Sequence, residues 1–210
     1  MIYIIITTSI NNKDGIQNDN HRKNRYIECI QSLLKVIENN DEKRCKIKPI
    51  IVENNGMRKT YLDELNCEVV YTNNNNKHFA HKGVNELLDI KEVINKYNIE
   101  DNDFVIKLTG RYKVFNYNFF DLVMNNIQHY DAFVKFLNVC TLQYAYNDCV
   151  LGLFAIKCKY LKIFEYECKF SPECEFATFV RNHIQENKVK EISNLYLECC
   201  FAGDFRILNV

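Results

Sequence analysis

Phe104-Val105-Ile106-Lys107-Leu108-Thr109-Gly110-Arg111-Tyr112 is the most informative segment of the chain. It starts as a nearly unbroken apolar run, the pattern of a strand buried on both faces. Side chains alternate along a strand, so Lys107, Thr109 and Arg111 point the same way. Two cations on one face of a central strand are costly unless anions meet them. Those anions are either neighbouring carboxylates or ligand phosphates, for which arginine supplies a bidentate fork.

Upstream of this stretch, strands and helices alternate. Residues 2–7 and 47–52 are β-branched runs, and Glu68 to Tyr71 is a third strand. A polar loop is expected from Asn11 to Asn24. A helix then follows on Tyr26, Ile27, Ile30, Leu33, Leu34 and Ile37. A short helix falls near Tyr61 to Leu65. A longer one carries Val84, Leu87, Leu88, Ile90, Val93 and Ile94 after Lys82-Gly83. This alternation predicts an α/β fold with a mostly parallel central sheet and helices on both faces. Ligands of such sheets bind outside the carboxyl ends of the strands. Four segments are thereby nominated: Thr7-Thr8-Ser9, Glu53-Asn54-Asn55-Gly56, residues 73–83, and Thr109-Gly110-Arg111-Tyr112.

Beyond Tyr112 the pattern is irregular. Phe119 to Met124 reads as a helix, Ala132 to Leu137 and Val150 to Ile156 as strands. Phe176 to Ile184 reads as a helix preceded by Ser171-Pro172-Glu173, and Leu195 to Phe201 as a late strand. We read residues 1–210 as one domain, softest near 115. Residues of about 1–115 form a nucleotide-binding half and about 116–210 an irregular α+β acceptor-side half.

Composition narrows the function. Lys plus Arg and Asp plus Glu each number 27, and this zero net charge argues against general nucleic-acid binding. Six glycines and two prolines argue against linkers and low-complexity arms. The asparagine runs read as codon bias. Ten cysteines include no Cys-x-x-Cys pair, so reduced thiols in a cytoplasmic protein are expected. The apolar start at Met1 is too short for a signal peptide, and no stretch approaches a membrane span.

Each strand end offers particular chemistry. Thr7, Thr8 and Ser9 present hydroxyls and amides to a nucleoside, or they cap their own strand. Glu53, Asn54 and Asn55 suit ribose hydroxyls, and Gly56 permits a positive φ. A plain turn explains Asn55-Gly56 equally well. Lys82 and Gly83, at a helix start, suit a diphosphate. His78 and His81 lack a third metal ligand.

Together, Ile4-Ile5-Ile6-Thr7-Thr8, Ile51-Val52-Glu53-Asn54-Asn55-Gly56, Lys82-Gly83 and Asp103 to Tyr112 resemble a glycosyltransferase of the GT-A fold. The similarity is to small stand-alone sugar transferases of large DNA viruses and some bacteria, and it covers about residues 1–160. Gly152 to Lys157 resembles a late strand of that fold. The resemblance implies transfer of a sugar from a nucleoside diphosphate, a UDP-sugar foremost, to a glycan or protein acceptor. It places the nucleoside at Thr7 to Ser9 and Glu53 to Gly56. It puts the diphosphate near Lys82, Gly83, Thr109, Gly110, Arg111 and Tyr112. The family carries a metal-binding Asp-x-Asp after the strand where this chain has Thr109-Gly110-Arg111; Asp101-Asn102-Asp103 precedes that strand instead. No metal ligand or cofactor is therefore assigned. Arg111 with Lys82 takes the ion's place, with manganese or magnesium as the alternative. The resemblance also implies a general base at a helix start in the second half, where Glu175, then Glu173 and Asp148, are the candidates. An inactive nucleotide-sugar-binding module is the rival reading. A sugar nucleotidyltransferase is disfavoured because Thr7 to Asn12 contains no glycine.

Overall fold

The computed structural model describes residues 1–11, 19–39, 47–56, 58–77, 79, 81–137, 145–201, 203 and 206–210. Its centre is a parallel set of four strands: β1 (Ile2–Thr8), β2 (Ile47–Glu53), β3 (Glu68–Tyr71) and β4 (Phe104–Thr109). They lie in the order β3-β2-β1-β4. Ile5 sits between Ile50 of β2 and Lys107 of β4, so β1 is enclosed by strands on both sides. Ile4, Ile5 and Ile6 are fully buried, as an unbroken apolar run requires.

The sheet continues past β4 through β7 (Leu153–Lys157), β6 (Ala132–Val134) and β8 (Val189–Glu191). β7 runs against both of its neighbours, while β6 and β8 are parallel to each other. Three further short strands, β5 (Lys113–Val114), β9 (Leu197–Cys200) and β10 (Ile207–Asn209), form a small antiparallel sheet.

Helices cover both faces of the central sheet. α1 (Asp19–Glu38) and α3 (Asn118–Asn126) contribute Tyr26, Ile30, Leu33 and Phe120 to one core. α2 (Lys82–Lys96), α4 (Cys158–Ile163) and α5 (Pro172–His183) contribute Leu87, Val93, Leu161 and Phe176 to the other. The mixed α/β fold with a mostly parallel sheet is thus the one the sequence predicts.

Several boundaries differ, each for a physical reason. α1 starts at Asp19, inside the expected loop, because its first turns turn inward through arginines rather than apolar side chains. α5 starts at Pro172, which suits a first helical position, and Ser171 Oγ caps it by accepting from Cys174 N at 3.2 Å. Leu151 and Gly152 form a turn, and β7 begins only at Leu153. β5, β8 and β10 are too short to show a period. Among the described cysteines all eight are free thiols; Cys45 and Cys140 lie outside the described residues. No helix among the described residues is long and apolar enough to cross a membrane.

Candidate functional site

The parallel strands end together, with Thr7 beside Thr109 and Thr8 beside Glu53. Past the β4 end lies an open cleft of about 600 Å³. α2 gives it Lys82, Gly83 and Glu86; β4 and its exit give Lys107, Thr109, Arg111 and Tyr112. The α5 start closes it with Pro172 and Glu173. Lys107, Thr109 and Arg111 share this one side, as strand alternation predicts.

The cation of β4 and the one at its exit differ in what compensates them. Lys107 is buried and fully engaged: its Nζ donates to Thr109 Oγ1 at 2.7 Å and to Leu151 O at 2.8 Å. It also pairs with Glu86 Oε2 at 2.8 Å. Neighbouring carboxylate therefore wins at Lys107. Arg111 donates from Nε to a backbone carbonyl, Cys200 O, at 2.7 Å. Its guanidinium stands 5.3 Å from the centre of the Tyr112 ring, and Glu86 acts on it only at longer range.

Glycines allow the close approaches that shape this cleft. A Cβ on Gly83 would lie 2.6 Å from Pro172 Cβ, so the starts of α2 and α5 abut. A Cβ on Gly152 would lie 2.1 Å from the Tyr112 ring. Two helix N-termini thereby meet at one opening, each carrying positive potential that favours an anion. Gly110 is squeezed too, donating from N to Thr7 O at 2.9 Å.

Of the expected carboxylates, Glu173 reaches the cleft and Glu175 does not. Burial first, then Asp148 and Glu86, raise Glu173 above the usual carboxylate range. Asp148 is buried and accepts from Cys149 N at 2.8 Å. Glu175 corrects an expectation. Its carboxylate accepts four backbone amides, of Glu167 (2.7 Å), Cys168 (3.2 Å), Lys169 (2.6 Å) and Phe170 (2.9 Å). Those bonds outweigh desolvation and hold it below the ordinary range. Glu175 ties a loop together and is not placed to take a proton in the cleft.

The β1 and β2 ends make a second assembly, and it is closed. Glu53 is fully buried. It accepts from Thr8 Oγ1 at 2.7 Å, from Ile10 N at 3.1 Å and from Asn55 N at 3.2 Å, and also from the Asn55 side-chain amide. Its lone-pair sites are taken up, which corrects the expectation that it reads ribose hydroxyls. Asn54 turns inward to Asp89 of α2 at 3.0 Å. Asp89 also accepts from Thr72 Oγ1 at 2.6 Å and Asn74 Nδ2 at 2.8 Å. Burial still pushes its pKa up to about 7. Gly56 does adopt φ of +99°, donating to Thr72 O at 2.6 Å. Ser9, Ile10 and Asn55 are left half-buried on this rim.

Some groups escaped sequence reading. Glu86 follows Lys82 by four residues and so shares its helix face, a usable signal. Asn85 and Asp89 bear the same relation, inside a helix face assigned as apolar. Arg22 lay in the presumed loop, and Arg25 just past its end.

A divalent ion does not fit the β4 exit. Thr109 and Arg111 stand where carboxylates are needed, and Glu86 is paired with Lys107. Among the described residues no three His, Cys, Asp or Glu side chains converge; His78 lies outside them. Asp103 and Asp101 are at the opposite sheet edge, paired with the N-terminal ammonium and with Lys162, each at 2.6 Å.

No protein-family model and no curated protein matches the sequence. Solved structures do. A nucleotide-diphospho-sugar transferase assigned by similarity from Desulfovibrio desulfuricans G20 aligns over 91% of this chain and 79% of its own, at TM-score 0.54 and 10% identity. Residues 1–349 of TarS from S. aureus align over 91% of this chain at TM-score 0.55 and 15% identity; the chain spans 58% of that fragment. The galactosyltransferase LgtC, solved with donor and acceptor sugar analogs, aligns over 90% of this chain and 72% of its own, at TM-score 0.50 and 11% identity. The chain has the GT-A-like fold of these glycosyltransferases.

Proposed function

We propose that a chain with this fold transfers a sugar, a hexose or deoxyhexose, from a nucleoside diphosphate to a glycan or protein acceptor, with a UDP-sugar as donor. The observation that carries this reading is the cleft beyond β4, where Arg111 and Lys82 face Glu173 across the two abutting helix starts. The nucleoside lies along the half-buried rim of Ser9, Ile10 and Asn55. Arg111, Lys82 and the ends of α2 and α5 take up the charge that grows on the diphosphate as the sugar–phosphate bond breaks. Glu173 accepts the proton of the attacking acceptor hydroxyl. Burial raises its pKa, which makes its carboxylate a stronger base than an ordinary one. Lys107 and Glu86, already paired, set the floor of the cleft.

Calorimetry against UDP-, GDP- and dTDP-sugars tests the donor, with binding well below millimolar expected for at least one. Failure of all three to bind at that level overturns the reading. Donor hydrolysis separates an enzyme from a binding module: turnover is expected with the parent protein.

A further inference from the structure

Behind Arg111 stand two more arginines, both on α1 and both buried. Arg25 is compensated, pairing with Glu198 Oε1 at 2.6 Å while its Nε donates to Arg111 O at 2.9 Å. Arg22 is 4% exposed and has no carboxylate partner among the described residues. Its Nε donates to Ser9 O at 2.9 Å and its Nη2 to Tyr26 Oη at 3.3 Å. Its Nη1 is buried with no partner among the described residues. Arg25, Arg111 and Arg22 all act electrostatically on the Cys200 thiol, so the three cations share one neighbourhood with Glu198. The two hydrogen bonds of Arg22 and the Tyr26 ring, its centre 5.5 Å from the guanidinium carbon, offset only part of the cost of burying a charge whose Nη1 has no partner among the described residues.

We infer that Arg22 is a fixed counter-charge for the donor's diphosphate, acting from beneath Arg111. This rests on the transferase reading above. Arg22 is a positioning residue: its Nη1 is sealed from the cleft, so it works through the field it adds there and through its hold on Ser9. In a poorly screened interior a fixed charge acts over longer distances than it does in water. A ligand bringing two phosphates to the β4 exit supplies the missing anion. A nucleoside without phosphates gains nothing from Arg22.

Calorimetric titration of the parent, Arg22→Gln, Arg22→Lys and Arg111→Ala with UDP, UMP and uridine, at low and high salt, decides this. Arg22→Gln is expected to weaken UDP about tenfold, UMP less and uridine not at all, and to flatten the salt dependence of UDP binding. Arg22→Lys keeps the charge and is expected to retain most of the UDP affinity. Equal weakening of UDP and uridine by Arg22→Gln would reduce the residue to a structural tie and overturn the inference, as would unchanged UDP binding. Should Arg22→Gln fail to fold, Arg22→Lys settles the matter. Loss of UDP and uridine affinity in equal measure overturns the inference, and retained UDP affinity with its salt dependence intact supports it. A parent that binds none of UDP, GDP and dTDP refutes the transferase reading itself. A parent that binds one of them, insensitive to Arg22, refutes only this inference.

Discussion

The two strand-end assemblies of this protein use similar residue types to opposite ends. Around Glu53 and Asp89, carboxylates and amides from β2, the β3 exit and α2 satisfy one another almost completely. Around Arg111, Lys107 has its carboxylate in Glu86, while the Arg111 guanidinium donates to a backbone carbonyl beside open space. A polar group at a strand end is thus architectural when its partners are already in the chain. It is available to a ligand when they are not. Variants in the first assembly should change stability and leave binding alone, and variants in the second should do the reverse.

The largest effect is expected from Glu173→Gln. Removing a general base costs about 10²–10⁴-fold in kcat, while UDP affinity stays near that of the parent. The parent's kcat should rise with pH through a carboxylate pKa above the usual range, because a general base at Glu173 would work only when deprotonated. Glu175→Gln should leave kcat in place. A kcat loss from Glu175 and not from Glu173 would reverse their assignment.

Next comes Glu53→Gln. It sets an amide against Thr8, Ile10 and Asn55 donors, at about 2–3 kcal/mol for buried polar groups left unsatisfied. A fall in melting temperature of about 5–10 °C follows for a chain of this size. Uridine affinity should hold. Lost uridine affinity at unchanged melting temperature would return Glu53 to the ligand.

Arg111→Ala is expected to weaken nucleoside-diphosphate binding by about 1.5–3 kcal/mol, the range for a charge-assisted hydrogen bond. Arg111→Lys should recover only part, since an ammonium lacks the planar fork. Uridine should bind both variants nearly as it binds the parent. EDTA should leave much of the parent's activity, and complete dependence on manganese would break the contrast between the two assemblies.

The smallest effect concerns pH. The folded pKa of Asp89, about 7, lies above the ordinary value of 3.8. The native state therefore holds an extra proton between those limits. The stability this group contributes is full below pH 3.8 and is lost as pH rises through about 7. Urea denaturation of Asp89→Asn and parent at pH 5 and pH 8 should show the variant gaining at least about 1 kcal/mol relative to the parent at the higher pH. Parallel profiles would exclude Asp89 as the source.

Much of this fold was legible because continuous apolar runs such as Ile4 to Ile6 leave no other reading than a buried strand. β7 was harder: nothing in Leu153 to Lys157 distinguishes an antiparallel partner from a parallel one. The cleft was partly legible. Lys82, Thr109 and Arg111 follow from strand ends and helix starts alone. The closure of Glu53 was not, because its partners Thr8 and Ile10 come from 43–45 residues away. Glu173 and Glu175 sit two apart at one helix start, and only the fold of residues 167–170 tells them apart.

The contact of Gly83 with Pro172 sets more than the shape of the opening. A Cβ at Gly83 would fall 2.6 Å from the proline ring, so the first turns of the helix bearing Lys82 and the helix bearing Glu173 have no room between them. Neither can slide there without pressing on the other, which makes the gauge between Lys82 and Glu173 a property of the joint rather than of either helix. One added methyl group there acts as a spacer. It would move Lys82 and Glu173 apart while leaving both of those side chains unchanged.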